Sequence, residues 1–287
     1  MRRASGFTLV ELVLVIVITG ILAAALTVFF KPALDGYFDT RRRAELGDMA
    51  DTALRRMGRE LRRAVPNSLI AHGDDCIELV LAKSGGLYRR EVDISNADSD
   101  PLDSTAADVS FDVLSPLAVA PVQGDFVVIG NQNTADVYAE GSGSTRAEVQ
   151  EWELLPEPPP GDISRGKGLL TLKSAHPFPP AYDGGRFFVV SQAEQRIAYV
   201  CRNTGEAAGN GSGTLVRVVR DFDGSVPGAC PTPTASEAPL ARQVAACSFD
   251  YQPGATEQSG FVSIRLQLLE AAERITLVYG AHVSNVP

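Results

Sequence analysis

Gly6-Phe7-Thr8-Leu9-Val10-Glu11-Leu12 opens an apolar run that continues to Phe30, and its reading decides the fold. Residues 7–30 hold one formally charged side chain, Glu11. A helix over these 24 residues is about 36 Å long, enough to cross the roughly 30 Å of bilayer hydrocarbon. A lone acid there costs about 2.5–3.5 kcal/mol on insertion scales, so assembly must supply it with a partner. Arg2 and Arg3 stand directly against the run, and Lys31, Arg41, Arg42 and Arg43 follow it. The leading pair orients the N-terminus toward the cytoplasm. The run is longer than the apolar part of a secretory signal, and Ala23-Ala24-Ala25 lies inside it as a packing feature, not a cleavage site. A plain signal anchor is the competing reading.

The helix is expected to continue past the span. Leu46, Met49, Ala50, Ala53, Leu54, Met57, Leu61, Ala64 and Val65 recur at spacings of three and four and make one apolar stripe. Arg55, Arg56, Arg59, Arg62 and Arg63, with Asp48, Asp51 and Glu60, fall on the remainder, read as a solvated face that meets acidic neighbours. Pro66 stops the helix. Pro32 and Gly36 should kink or loosen it. The organisation predicted is a short leader at 1–6, a transmembrane helix at 7–30, an amphipathic extension at 31–65 and a β-rich domain at 66–287. Residues 1–65 carry a net charge of +4, which leaves −13 for the rest of a chain whose total is −9. An acidic body of that kind argues against nucleic-acid binding.

After Pro66 the periodicity shortens. Strands are predicted at 76–82, 87–93, 125–130, 150–155, 168–173, 186–191, 195–201, 214–220, 244–251, 261–269 and 274–283, rich in Val, Ile, Phe and Tyr and bounded by Gly, Pro, Asn or Asp. Ser84-Gly85-Gly86 reads as a hairpin. Gln258-Ser259-Gly260 and the stretch 270–273 punctuate a terminal meander. The Gly-, Ser- or Pro-rich stretches 141–145, 156–161, 205–213 and 227–239 read as surface loops. The fold class expected is α+β, a long N-terminal helix packed on a mainly antiparallel sheet domain.

Gly6-Phe7-Thr8-Leu9-Val10-Glu11, after a basic leader and before an apolar run, resembles the class III signal of type IV pilins and type II secretion pseudopilins. The resemblance implies that a prepilin peptidase cuts between Gly6 and Phe7 and methylates the new Phe7 amine. It implies that Glu11 pairs with the α-amino group of a neighbouring subunit. Physical logic agrees, because cleavage creates the cation that a buried Glu11 lacks and removes Arg2 and Arg3. The stretches Glu60-Leu-Arg-Arg-Ala-Val-Pro-Asn-Ser68, Cys76-Ile-Glu-Leu79, Val244-Ala-Ala-Cys-Ser-Phe-Asp-Tyr251, Gly260-Phe-Val-Ser-Ile264 and His282-Val-Ser-Asn-Val-Pro287 are similar to MshO-type minor pilins of mannose-sensitive haemagglutinin (MSHA) pili. The PilW and GspJ-type minor subunits share the same general plan.

Cys76, Cys201, Cys230 and Cys247 all lie beyond the span, and an oxidising periplasm allows two disulfides in any of three pairings. Cys201 and Cys230 flank a loop-rich stretch, which favours that bond, with Cys76 to Cys247 as the other. Buried free thiols at Cys76 and Cys247 are the alternative. No zinc spacing occurs. His72, His176 and His282 lack a signature context, and no nucleophile elbow, P-loop or dinucleotide fingerprint is present. Asp221-Phe-Asp223-Gly224 opens like a calcium loop but lacks the closing Glu, so it reads as a turn. Asp98, Asp100 and Asp103 read as a solvated acidic loop.

The function expected is a non-enzymatic minor pilin, without cofactors, at the initiation site or tip of an MSHA-type pilus. Its partners would be the prepilin peptidase and N-methyltransferase, other major and minor pilins and the inner-membrane assembly platform. It would sit as a single pass in the inner membrane with a periplasmic C-terminal domain, then enter the fibre. The alternatives are a type II secretion minor pseudopilin and a membrane-anchored periplasmic binding domain.

Overall fold

Helix α1 (Leu9–Leu61) carries the chain from the apolar run onto a β-rich body as one helix of 53 residues. This computed structural model describes residues 7–96, 98–141, 144–156, 166–180, 184–253 and 259–286. Pro32 and Gly36 lie within α1, and the expected loosening does not end it. A proline forfeits one backbone hydrogen bond, and the turns on either side carry the helix through. The stripe is buried as its spacing predicts: Leu46, Ala50, Ala53, Leu54, Met57 and Leu61 lie in the core. Each large side chain among them contributes about 1.5–3 kcal/mol. The helix stops when the N–H groups of Arg63 and Ala64 tighten onto the carbonyls of Glu60 and Leu61, and Val65 donates to the Val80 carbonyl instead.

The strands run in chain order as β1 (Ile70–Ala71), β2 (Cys76–Val80), β3 (Ala82–Leu87), β4 (Asp108–Val113), β5 (Phe126–Val128) and β6 (Arg146–Leu154). They continue as β7 (Gly168–His176), β8 (Arg186–Val190), β9 (Arg196–Arg202), β10 (Glu206–Ala207) and β11 (Asn210–Gly211). The last four are β12 (Gly213–Arg220), β13 (Pro239–Gln252), β14 (Ser259–Glu270) and β15 (Glu273–Ser284), and a short helix α2 (Thr134–Tyr138) precedes β6. One antiparallel sheet has the order β1-β2-β9-β12-β13-β14-β15, and a second has the order β3-β8-β5-β6-β7-β4. The fold is α+β, with the lower half of α1 lying on β13, β14 and β15.

The second sheet is an insertion. β2 pairs directly with β9, from Cys76↔Val200 to Val80↔Arg196, and everything from β3 to β8 leaves and returns between them. This sheet curls until Tyr88, just past β3, bridges Val113 of β4. Its interior is a separate core that includes Phe111, Val127, Val149, Leu170, Phe187 and Val189. A third cluster, with Val65, Val80, Val128, Tyr138 and Val190, joins the two layers. Polar bonds pin the joint: the Tyr138 hydroxyl donates to the Ser68 carbonyl at 2.6 Å, and Asn131 Nδ2 donates to the Pro66 carbonyl at 2.6 Å.

Several expectations are corrected. Ser84-Gly85-Gly86 is not a hairpin but the middle of β3. A Cβ at Gly86 would sit 2.6 Å from Ser115 Oγ and 2.8 Å from Leu117 Cδ2, so the glycine serves close approach rather than a turn. The strand expected at 87–93 does not form, because the chain turns at Asp93, whose carboxylate accepts the Ser95 N–H at 2.8 Å. β4 was not expected. Ser259 and Gly260 lie inside β14, while Gln258 is outside the described residues. The 270–273 turn does form, with Ala271 and Ala272 at φ 49° and 69°. Left-handed alanines cost about 1–2 kcal/mol each. Here the β10–β11 hairpin holds them, since Ala272 donates to the Gly209 carbonyl at 2.8 Å and Ala271 to Asn210 Oδ1 at 2.9 Å.

The favoured disulfide pairing is also overturned. The bonds are Cys76–Cys230 and Cys201–Cys247, not Cys201–Cys230 and Cys76–Cys247. Sheet parity decides this. Cys201 points to the α1 side of the sheet, where Cys247 packs, whereas Cys76 lies on the opposite face with Val200, Val218 and Cys230. The loops closed are 154 and 46 residues long, worth about 4–5 kcal/mol each in the chain-entropy view.

Glu60, expected on the solvated face, is buried. It accepts from the Tyr199 hydroxyl, from Arg217 Nε at 2.9 Å and from Arg56 Nε at 3.2 Å. Burial alone would raise its pKa, but the bonds from Tyr199 and Arg217 and the Arg217 charge outweigh that and hold it below the usual carboxylate range. A depressed folded-state pKa means stability that is present above the unfolded value and lost as pH falls through the folded one. Glu60→Gln should therefore cost about 2–4 kcal/mol at neutral pH. The gap from wild type, read as the urea midpoint at successive pH values, should close as the pH drops below 4.5, the ordinary glutamate value. A constant gap would show that the charge of Glu60 is immaterial. A non-reducing digest read by mass spectrometry should link the Cys76 peptide to Cys230 and the Cys201 peptide to Cys247. Linkage of Cys201 to Cys230 would contradict the sheet-face argument.

Candidate functional site

The N-terminal signature sits at the start of α1. Gly6 and the rest of the leader lie outside the described residues. Phe7 is 75% exposed and immediately precedes the helix cap. Thr8 is that cap, in extended conformation at φ −82° and ψ 149°. Its Oγ1 accepts the Glu11 N–H at 3.3 Å, and Glu11 Oε2 accepts the Thr8 N–H at 3.5 Å. Thr8-Leu-Val-Glu11 is thus a reciprocal capping box, legible in the sequence as Thr followed three residues later by Glu. It places the carboxylate on the first turn, beside the positive end of the helix dipole and one turn from Phe7.

Beyond this turn the helix surface is bare. Leu9, Val13, Ile16, Ile21, Leu26 and Phe29 are all exposed, and the most apolar 18-residue window has mean hydropathy 2.9 with none of it buried. α1 is long and apolar enough to cross a membrane. Its polar side chains are satisfied within the helix. Thr19 Oγ1 donates to the Val15 carbonyl at 2.7 Å and Thr27 Oγ1 to the Ala23 carbonyl at 2.8 Å, so neither hydroxyl asks for a partner in hydrocarbon. Tyr37 and Phe38 follow, with ring centroids 5.8 Å apart, and then the basic run from Arg41. Aromatic and basic residues in that order suit the boundary between lipid and water.

The basic face behaves partly as expected. Arg41 pairs with Glu45, Arg42 with Asp39, Arg55 with Asp51 and Arg56 with Glu60, while Arg43 reaches Glu273 at the β14–β15 turn. Glu60 is the residue that sequence reasoning misplaced. Its spacing from Met57, Leu61 and Ala64 is the signal that puts it on the stripe.

The remaining sequence candidates do not converge. His72 Nε2 lies 3.4 Å from Glu78 Oε2 inside the first sheet, His176 Nε2 lies 2.7 Å from the Ser144 carbonyl, and the His282 ring packs on Phe261. Asp223 is committed to a turn. Hydrogen bonds from the Ser225 hydroxyl and N–H, aided by Arg196, lower its pKa to about 2. Asp100 accepts from the Ser110 hydroxyl at 2.6 Å and Asp103 from Thr105 at 2.7 Å. Among the described residues no group of three or more His, Cys, Asp or Glu side chains is placed to hold a metal ion.

A family model described as the prokaryotic N-terminal methylation motif matches residues 1–27. That match supports a type IV pilin-like protein, with the apolar helix as its membrane anchor. No curated protein and no solved structure matches the chain.

Proposed function

We propose that this chain is a minor-pilin-like structural subunit. In this reading it is cut between Gly6 and Phe7 by a prepilin peptidase, methylated at Phe7, and drawn from the inner membrane into a type IV filament. The observation that carries it is the pairing of the methylation motif with a bare apolar run, residues 7–30, whose one acid, Glu11, sits in the first turn of α1. Among the described residues the carboxylate is held by a long bond from the Thr8 amide. A free ammonium on a neighbouring Phe7 is the stronger partner for it in lipid, because a charge-assisted pair replaces a neutral donor. The two disulfides suit an oxidising periplasm. The C-terminal stretches 244–251, 260–264 and 282–287 favour an MSHA-type adhesion pilus over a secretion pseudopilus. A described β-rich body of this size is bulky for a subunit repeated along a thin fibre, which favours a low-copy place at the initiation site or tip. The role is structural, with the assembly platform and the other pilins as partners.

Replacing Gly6 with a bulkier residue should leave uncut, unmethylated precursor in the membrane, read by mass spectrometry of the N-terminus. Normal maturation of that variant would end the class III reading. Glu11→Val should be processed normally, since it removes a costly buried acid. Its crosslinking to partner pilins should fall at least tenfold at equal membrane levels, in line with about 1.4 kcal/mol or more for the lost pair. Undiminished crosslinking would reduce Glu11 to a helix-capping residue.

A further inference from the structure

A cavity of about 510 Å³ opens where the end of α1, β3, β8 and the C-terminal segment meet. Arg62 and Arg63 reach it from just past α1, Lys83 from β3 and Arg186 from β8, and among the described residues that line it there is no carboxylate. Of these, Lys83 is neutralised by the buried Asp125. Arg62 donates to the neutral Tyr279 hydroxyl at 3.2 Å, and Arg63 donates to the Ala82 carbonyl at 2.9 Å. Neither of these arginines, nor Arg186, is in an ion pair among the described residues. Three guanidinium groups without an ion-pair partner among the described residues thus line one cavity of a chain whose net charge is −9.

The wall of this cavity is an interrupted sheet edge. β3 ends its sheet and pairs with β8 alone. At one end its outer side is covered, because the Ala82 N–H donates to the Arg63 carbonyl at 2.9 Å. At the other end the Leu87 carbonyl accepts the Leu114 N–H at 2.7 Å, and the Leu87 N–H donates to Ser115 Oγ at 2.9 Å. Backbone groups alternate sides along a strand. Gly85, two residues before Leu87, therefore turns its N–H and carbonyl to the same outer side, into the gap between the two covers. The gap, residues 83–86, is about 13 Å long at 3.3 Å per residue. Gly85 is exposed and carries no side chain to screen its backbone, and Pro66, Phe188 and Val286 supply apolar surface beside it.

We propose that this slot binds a short, extended, acidic peptide segment of a partner protein, added as a strand of about four residues on β3. Main-chain bonds to the Gly85 edge supply the register, and Arg62, Arg63 and Arg186 select carboxylate side chains. Exposed sheet edges are otherwise covered or blunted, and here the cover stops on both sides of a glycine pair. The inference does not depend on filament assembly, and it can fail while the pilin reading stands.

The test uses the full chain in detergent micelles and a fluorescent hexapeptide alternating Glu and Val, read by anisotropy. Saturable binding is expected, together with at least tenfold weakening for the Arg62→Ala/Arg186→Ala double variant, whose side chains are exposed and whose fold is checked by circular dichroism. The same peptide with alternate amides N-methylated keeps its charge but loses donors, and it should also bind at least tenfold more weakly. A Lys/Val peptide should not bind. Absence of saturable binding, equal binding of the N-methylated or Lys/Val peptide, or unchanged binding by the double variant would overturn the proposal. So would a heparin oligosaccharide that displaces the Glu/Val peptide at lower concentration, since that would make the slot a polyanion site.

Discussion

The carboxylate of Glu60 is where a helix built for lipid is locked to a body built for water. It projects from the last turn of α1 and meets Tyr199 of β9 and Arg217 of β12, and Arg217 in turn holds Glu194 at 2.9 Å. The apolar stripe alone sets which face of α1 is buried, but apolar packing tolerates small slides along a helix axis. A buried carboxylate with fixed donors does not, because leaving any of them unpaired costs more than the bond contributes. The axial register of the stem against the sheet is thereby set. With it are set the distance from Glu11 to the β-rich body and the line along which any pull on the N-terminus reaches the sheet.

The same register positions the inserted sheet. Arg63 covers the end of β3, Asn67 Nδ2 bonds the Asn131 carbonyl at 2.8 Å and the Asn285 carbonyl at 3.0 Å, and Tyr138 reaches back to Ser68. The short segment after α1 is thus a clasp between the stem, the insertion and the C-terminal segment. The slot on β3 is a by-product of that clasp, since Arg63, just past α1, covers one end of the strand and the 114–115 segment the other.

Much of this was legible in the sequence where the signal was local. The apolar helix, the stripe from Leu46 to Leu61, the strands around Arg186 and Thr214, and the meander from Val244 all follow from the sequence pattern. What was not legible depends on contacts distant in sequence. β4 is short and interrupted by polar residues, and its buried Asp112 is met by Arg89 Nε at 2.8 Å and by the Asp100 N–H at 3.2 Å. The glycines of β3 look like a turn because the surfaces that require them, at Ser115, Leu117 and Phe187, are far along the chain. The disulfide pairing needs the face of the sheet, which the spacing of cysteines does not carry. At the candidate site the motif and the capping box were readable, while Glu60 was assigned to water because charge was weighed above spacing.

The place of α1 in the chain has a consequence for biosynthesis. Its stripe is covered by β13, β14 and β15, which begin at Pro239, after the whole of the inserted sheet. At ribosomal rates of about 5–20 residues per second, the lower half of the helix waits on the order of 10–40 s for the strands that bury it. A helix anchored in a membrane through its apolar run would spend that interval apart from other nascent chains, which would keep the stripe beyond it from pairing with the wrong surface.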